Sequence, residues 1–281
     1  MKLVGDIARD SAGDIAGDIA EEVGAGHVLV GFAPGTTGTV LDTAAQIAAR
    51  LGRDIVLLHV SRDPSLSVPD TAAVAKLAAE HLRAALGTGQ DVSVQETTGP
   101  AADALVRASR EACLLVLGSD RDAGLAEVVH HDVITTVAVR AVCPVLVVHA
   151  RSGVADPELV VTIEESGASG VDGVPDGAHR VGAGIARALG QSLRVLPHLD
   201  GRGSAQAMMD ASDTSSVLVL RRGTDGGLSH HLSDEGRRVL RDARCPVLVV
   251  DAYSPTTDVA STDVASTDVS ISDVPTTEEP R

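Results

Sequence analysis

Apolar residues in this chain alternate between short unbroken runs and longer stretches where they recur every three or four positions. The runs "HVLVGF" (His27–Phe32), "DIVLLHV" (Asp54–Val60), "DVSVQET" (Asp91–Thr97), "LLVLG" (Leu114–Gly118) and "PVLVVHA" (Pro144–Ala150) read as five strands. Between the first two, Val40, Ala44, Ile47, Ala48 and Leu51 line one helical face, and Gly52 stands where a helix would end. Thr71–Leu86 and Gly99–Ala112 read as two further helices, the latter with Pro100 near its start. "DVITTVAVRA" (Asp132–Ala141) is ambiguous. Its β-branched residues favour a strand, but Val133, Val137 and Ala141 share a helix face and a parallel sheet needs a crossover there, so a helix is expected.

The same succession then returns in shortened form. "ARCPVLVVDA" (Ala243–Ala252) echoes "AVCPVLVVHA" (Ala141–Ala150), and "VLVLRRGTDGGL" (Val217–Leu228) echoes "LLVLGSDRDAGL" (Leu114–Leu125). The second copy offers strand Glu158–Ile163, helix Asp176–Gly190, strand Ser192–Leu199 and helix Ser204–Ser212. No counterpart of the first copy's second helix and third strand intervenes. The expected organisation is a leader (1–26, a weak helix or disordered), a first domain (27–150), a linker (151–157), a shortened second domain (158–252) and an acidic tail (253–281). The tail, "TTDVASTDVASTDVSISDV" onward, repeats every five residues, a period of neither helix nor strand, and is expected to stay disordered.

Composition narrows the function. With one Phe, one Tyr and no Trp, the core must be aliphatic and offers no aromatic platform for bases. A net charge of −16 without a Lys/Arg cluster opposes nucleic-acid binding. No apolar run approaches the roughly 20 residues of a membrane helix. Cys113, Cys143 and Cys245 lack metal-ligand or C-x-x-C spacing, and with no signal peptide recognised a reduced cytoplasmic setting is expected.

"VLVGF", "LLHV", "TTGPAADALVRASREACLLVLGS" and "AVCPVLVV", in that order and spacing, resemble the universal stress protein (UspA-type) family in its tandem form. The resemblance implies an α/β fold: two tandem parallel-sheet domains of the adenine nucleotide alpha hydrolase-like type, the second shortened. It also implies dimer-like pairing through the fifth strands, here between 144–150 and 246–252, as self-association or within one chain. Many members bind ATP through G-x-x-G-x9-G-[ST] after the fourth strand, where glycines let backbone N–H groups approach phosphates.

Laid on this chain, that motif survives only in Gly118, with Ser119 after it. Arg121 holds the second glycine position, His131 the third and Asp132 the hydroxyl position, while Ala33 stands where ATP-binding members carry an acid. Asp132 would repel a phosphate at 4 Å by ~1 kcal/mol in water and ~4 kcal/mol at an effective dielectric of 20. Arg121 could still attract one. In the second copy two registers compete: Leu220, Gly223, Ser233 and Asp234 counted back from Cys245, or Arg221 and Thr224 for the first two positions counted from the strand. Neither restores the motif.

Other candidates favour structural roles. His130-His131 and His230-His231 do not align between copies and lack a completing ligand, so no metal is expected. His59 and His198 fall on the second strands without a partner for general-base chemistry, Cys143 and Cys245 precede Pro at the start of the fifth strands, and "APGTTG" reads as a capped turn before an anion cradle. The expectation is a non-enzymatic stress-response or regulatory protein with no cofactor. Two alternatives stand beside it: an ATP- or AMP-binding member with slow ATPase activity, using Gly118, Ser119 and Arg121, and a scaffold binding a protein partner through its termini.

Overall fold

The computed structural model describes residues 24–33, 35–61, 69–87, 89–119, 125–149, 158–164, 177–197, 202–225 and 229–251. Residues 1–23 of the leader, the 151–157 linker, the tail, Arg121 and His198 lie outside them.

Ten strands and seven helices alternate among the described residues: β1 (His27–Phe32), α1 (Gly38–Leu51), β2 (Ile55–Ser61), α2 (Pro69–Leu86), β3 (Val92–Thr98), α3 (Ala101–Ala108), β4 (Ala112–Ser119), α4 (Leu125–Arg140), β5 (Val145–His149), β6 (Glu158–Glu164), α5 (Gly177–Leu189), β7 (Ser192–Leu196), α6 (Arg202–Ala211), β8 (Ser215–Asp225), β9 (Ser229–His231), α7 (Asp234–Asp242) and β10 (Val247–Asp251). One sheet runs through them in the order β3-β2-β1-β4-β5-β10-β8-β6-β7, with β9 beside β8. Every pairing on this path is parallel except that of β10 with β5, which sets Leu248 opposite Leu146. On one side of that seam the order is β2-β1-β4-β5 with β3 beyond it; on the other, β7-β6-β8-β10 repeats the four-strand order with nothing beyond β7 among the described residues.

Alternation along the strands builds two cores, one on each face of the sheet. Val28, Val30, Leu146 and Val148 face α1, α2 and α5; Leu29, Val145 and Val147 face α3, α4, α6 and α7. Both cores are aliphatic apart from Phe32, as the composition requires.

The ambiguous segment is helical, in α4, with Ile134, Val137 and Ala138 buried. α3 ends at Ala108 rather than continuing to Ala112, because Ser109 ties off its last turn: its hydroxyl donates to the Val106 carbonyl (2.8 Å) and accepts from the Val142 amide (3.0 Å). β7 stops at Leu196 before Pro197, which has no N–H for the ladder. The expected loop after Leu220 is instead the continuation of β8, which turns back antiparallel as β9 with Gly223 opposite His231. Nor was α7 expected, although Ser233 followed by Asp234 and Glu235 is a helix-start signal.

Candidate functional site

In the order β3-β2-β1-β4-β5 the chain direction of travel reverses between β1 and β4, and the crevice beyond their carboxyl ends is where open parallel sheets hold ligands. Gly118 and Ser119 end β4 there, in register with Val148 and His149 of β5. A Cβ on Gly118 would lie 3.0 Å from Val40 Cγ2, so the missing side chain already serves to seat α1 against the strand. Ala33 follows β1 directly. Its amide donates to Thr36 Oγ1 (3.0 Å) and its carbonyl accepts from the Thr36 amide (2.9 Å), closing the turn on itself, with Gly35 in the left-handed region that glycine tolerates. Thr37 caps α1 without a side-chain capping bond, and its buried hydroxyl has no hydrogen-bond partner. At the end of β2, His59 Nδ1 is 3.2 Å from the Phe32 carbonyl, an accepting group, so the ring donates and serves to join two strands.

Of the remaining motif positions, the two that are described lie on a helix. His131 and Asp132 sit within the second turn of α4, where backbone N–H groups are committed to carbonyls one turn earlier and cannot turn toward a phosphate. Asp132 is exposed.

The matching point of β8, which continues to Asp225, is filled. Arg222, the counterpart of Ser119 in the sequence repeat, is 1% exposed. Its Nε and Nη2 donate to the two carboxylate oxygens of Asp251 at 2.5 and 2.7 Å. Its Nη1 donates to the carbonyls of Ala138 and Val139, in the last turn of α4, at 3.1 and 3.3 Å. The guanidinium is thus spent on a carboxylate of the neighbouring strand β10 and, across the seam, on two carbonyls of a helix C-terminus, where a cation is favoured. His149, matching Asp251 in the repeat, reaches across the seam the other way: its Nε2 lies 3.0 Å from the Leu240 carbonyl of α7 and carries the proton. The N-terminus of α7, a further anion site in principle, is taken by Ser233, whose hydroxyl accepts from the Gly236 amide (3.0 Å), and is flanked by Asp234 and Glu235. A Cβ on Gly223 would meet the His231 ring at 2.9 Å, so glycine here admits the β9 hairpin rather than a ligand.

Sequence reasoning missed Arg222 and Asp251, because the Arg221-Arg222 pair reads as the start of a loop after the strand; the repeat, which sets Arg222 at the Ser119 position, held the available signal. His230 and His231 fall on β9, and no group of three potential metal ligands is gathered among the described residues. All three cysteines are free and buried. Burial pushes the Cys143 and Cys245 thiols up to about 12 and raises that of Cys113.

The fold and crevice define an open α/β domain of the doubly wound class, with helices on both faces of a parallel sheet. More particularly, residues 24–149 match the model of the universal stress protein family, and this part of the chain is a domain of that family. Among solved structures, a universal stress protein from Archaeoglobus fulgidus DSM 4304 is 14% identical, with 80% of this chain and 98% of that one covered and a TM-score of 0.56. A functionally unknown protein from Pseudomonas aeruginosa PAO1 is 19% identical over 83% of this chain and 95% of that one, at a TM-score of 0.53. A putative universal stress protein from Pseudomonas aeruginosa UCBPP-PA14 is 18% identical over 82% and 94%, at 0.51. At these identities the likeness is one of fold. No curated protein matches the chain. No helix among the described residues is long and apolar enough to cross a membrane.

Proposed function

We infer that this chain is a tandem universal stress protein with a shortened second domain, acting as a non-enzymatic stress-response or regulatory module that does not bind ATP efficiently. The observation that carries the reading is the fate of the two strand ends. In the first domain the motif positions His131 and Asp132 fall inside α4, and in the second Arg222 is consumed by Asp251 and the end of α4. Neither end retains the glycine-rich backbone that would follow a polyphosphate closely. The three buried thiols fit a reduced cytoplasm.

Calorimetric titration of Mg-ATP and of AMP into the nucleotide-stripped full chain tests this. The expected outcome is no saturable heat up to about 1 mM nucleotide and no phosphate release. A micromolar isotherm overturns it. One observation favours the nucleotide-binding alternative: the buried hydroxyl of Thr37 lacks a partner at the start of α1, the helix whose Val40 lies against Gly118. If nucleotide binds, Thr37→Val is expected to weaken it about tenfold, as loss of one well-placed hydrogen bond would.

A further inference from the structure

β3 stands at the end of the strand order in the first half, so one row of its backbone groups faces away from β2. The ladder to β2 says which row. Ile55 donates to the Asp91 carbonyl at the start of the pairing, and Gly99 donates to the Ser61 carbonyl at its end. In a parallel ladder such bonds fall on alternate residues, so Asp91, Ser93, Gln95 and Thr97 serve β2, while Val92, Val94, Glu96 and Thr98 turn their N–H and C=O groups outward.

The first of these outward positions is closed by side chains. Asp91 Oδ1 accepts from the Val92 amide at 2.8 Å, and Arg83, in the last turn of α2, donates through Nη2 to the Val92 carbonyl at 2.7 Å. Asp91 is itself held, its amide donating to Asp54 Oδ1 at 2.8 Å. A carboxylate and a guanidinium thus do for Val92 what a neighbouring strand would do, and a strand arriving there would have to displace both. Two residues on, Val94 is 39% exposed.

A second copy of the chain brings the same edge, and two β3 edges meeting about a twofold axis pair antiparallel. Three registers engage three or more of the outward residues. With the axis at Val94, Val92 meets Glu96; with the axis at Gln95, Val92 meets Thr98 and Val94 meets Glu96; with the axis at Glu96, Val94 meets Thr98 and Glu96 meets its own copy. The first two need the Val92 groups that Asp91 and Arg83 hold. The third leaves Val92 out but sets two carboxylates directly opposite each other, an arrangement that cross-strand pairs disfavour. Every extended register is therefore opposed by one of three side chains.

We propose that Asp91, Arg83 and Glu96 form a guard that closes the β3 edge to a second copy of the chain. Asp91 and Arg83 act by occupying the backbone of Val92, and Glu96 acts by its charge.

Sedimentation equilibrium of the full chain tests the proposal, comparing the native sequence with a paired variant, Arg83→Met with Asp91→Ala, which keeps an aliphatic stem at 83 and vacates both Val92 groups. The paired variant is expected to self-associate about tenfold more tightly than the native chain or more, because each of the first two registers gains two backbone pairs. Arg83→Met alone, which leaves the Asp91 bond in place, should give a smaller gain of the same kind. Adding Val94→Pro should abolish the gain, since the Val94 N–H faces outward and proline removes it from the edge without breaking the ladder to β2. Leu82→Ala, in the core beneath the same helix, controls for lost stability and should leave association at the native level. No gain in either guard variant, a gain that Val94→Pro leaves intact, or the same gain from Leu82→Ala each overturns the proposal.

Discussion

At the end of β4 stand a glycine and a serine; at the matching point of β8, which runs on to Asp225, stand Arg221 and Arg222. The surrounding strands are alike in order and direction, and both β4 and β8 lie beside a Cys-Pro-led apolar strand. One end presents Gly118 and Ser119, both half-buried, while the other is plugged by a guanidinium held on four hydrogen bonds. The comparison teaches that a pair of small residues and a structural lock can stand at the same point of matching strands, and that two or three side chains decide between them. A small residue leaves the backbone accessible. A long cation with a carboxylate within reach closes it.

The sharpest way to break this comparison is to remove the lock's anion. Asp251→Ala leaves Arg222 buried and unpaired and is expected to cost about 3 kcal/mol or more in urea unfolding. His149→Ala, at the matching position, loses one hydrogen bond to the Leu240 carbonyl and should cost about 1 to 2 kcal/mol. Equal losses would mean that the two contacts are equivalent after all.

Copying the second half's residue into the first is the next test. Gly118→Arg places a side chain where a Cβ alone comes within 3.0 Å of Val40 Cγ2, and overpacking of about 1 to 3 kcal/mol is expected from thermal or urea unfolding. An unchanged stability would show that α1 yields easily and that Gly118 is not needed for packing.

The matched cysteines should behave alike. Each thiol stays protonated in the folded chain to about pH 12, whereas an unfolded thiol ionises near 9.0. Between those values the folded state binds more protons than the unfolded, so stability falls as pH rises, by about 1.4 kcal/mol per pH unit for each thiol, and is unaffected below the window. Cys143→Ala and Cys245→Ala should each flatten the measured slope by the same amount. The smallest effect separates two helix starts: Ser233→Ala loses a formed cap and about 1 kcal/mol, whereas Thr37→Ala, which has no capping bond to lose, should cost a few tenths.

The sheet was legible because it is written in unbroken valine and leucine runs, which only a strand covered on both faces tolerates. α4 was legible despite its β-branched residues, since two parallel strands need a crossover. What escaped was decided by single side chains acting at a distance in sequence. Ser109 shortens α3 by bonding the Val142 amide, and Arg222 finds its partners at Asp251 and Ala138. The β8–β9 hairpin was hidden by its own composition: "RGTDGG" suits a turn and a phosphate loop equally, and the sequence repeat favoured the loop. At the candidate site, Gly118 and Ser119 were placed correctly at the strand end, but counting nine residues onward could not reveal that α4 would begin early enough to enclose His131 and Asp132.

The antiparallel seam of β5 with β10 has a consequence for how this protein can change. Were the seam formed by two identical subunits, every substitution would arrive twice, once on each side of the dyad, and an arginine introduced on one side would have to be accommodated on both. Because both strands belong to one chain, each side varies alone. A histidine can persist at one end of the seam while an arginine and aspartate are installed at the other, and the contact survives any degree of dilution, since its two partners are never apart.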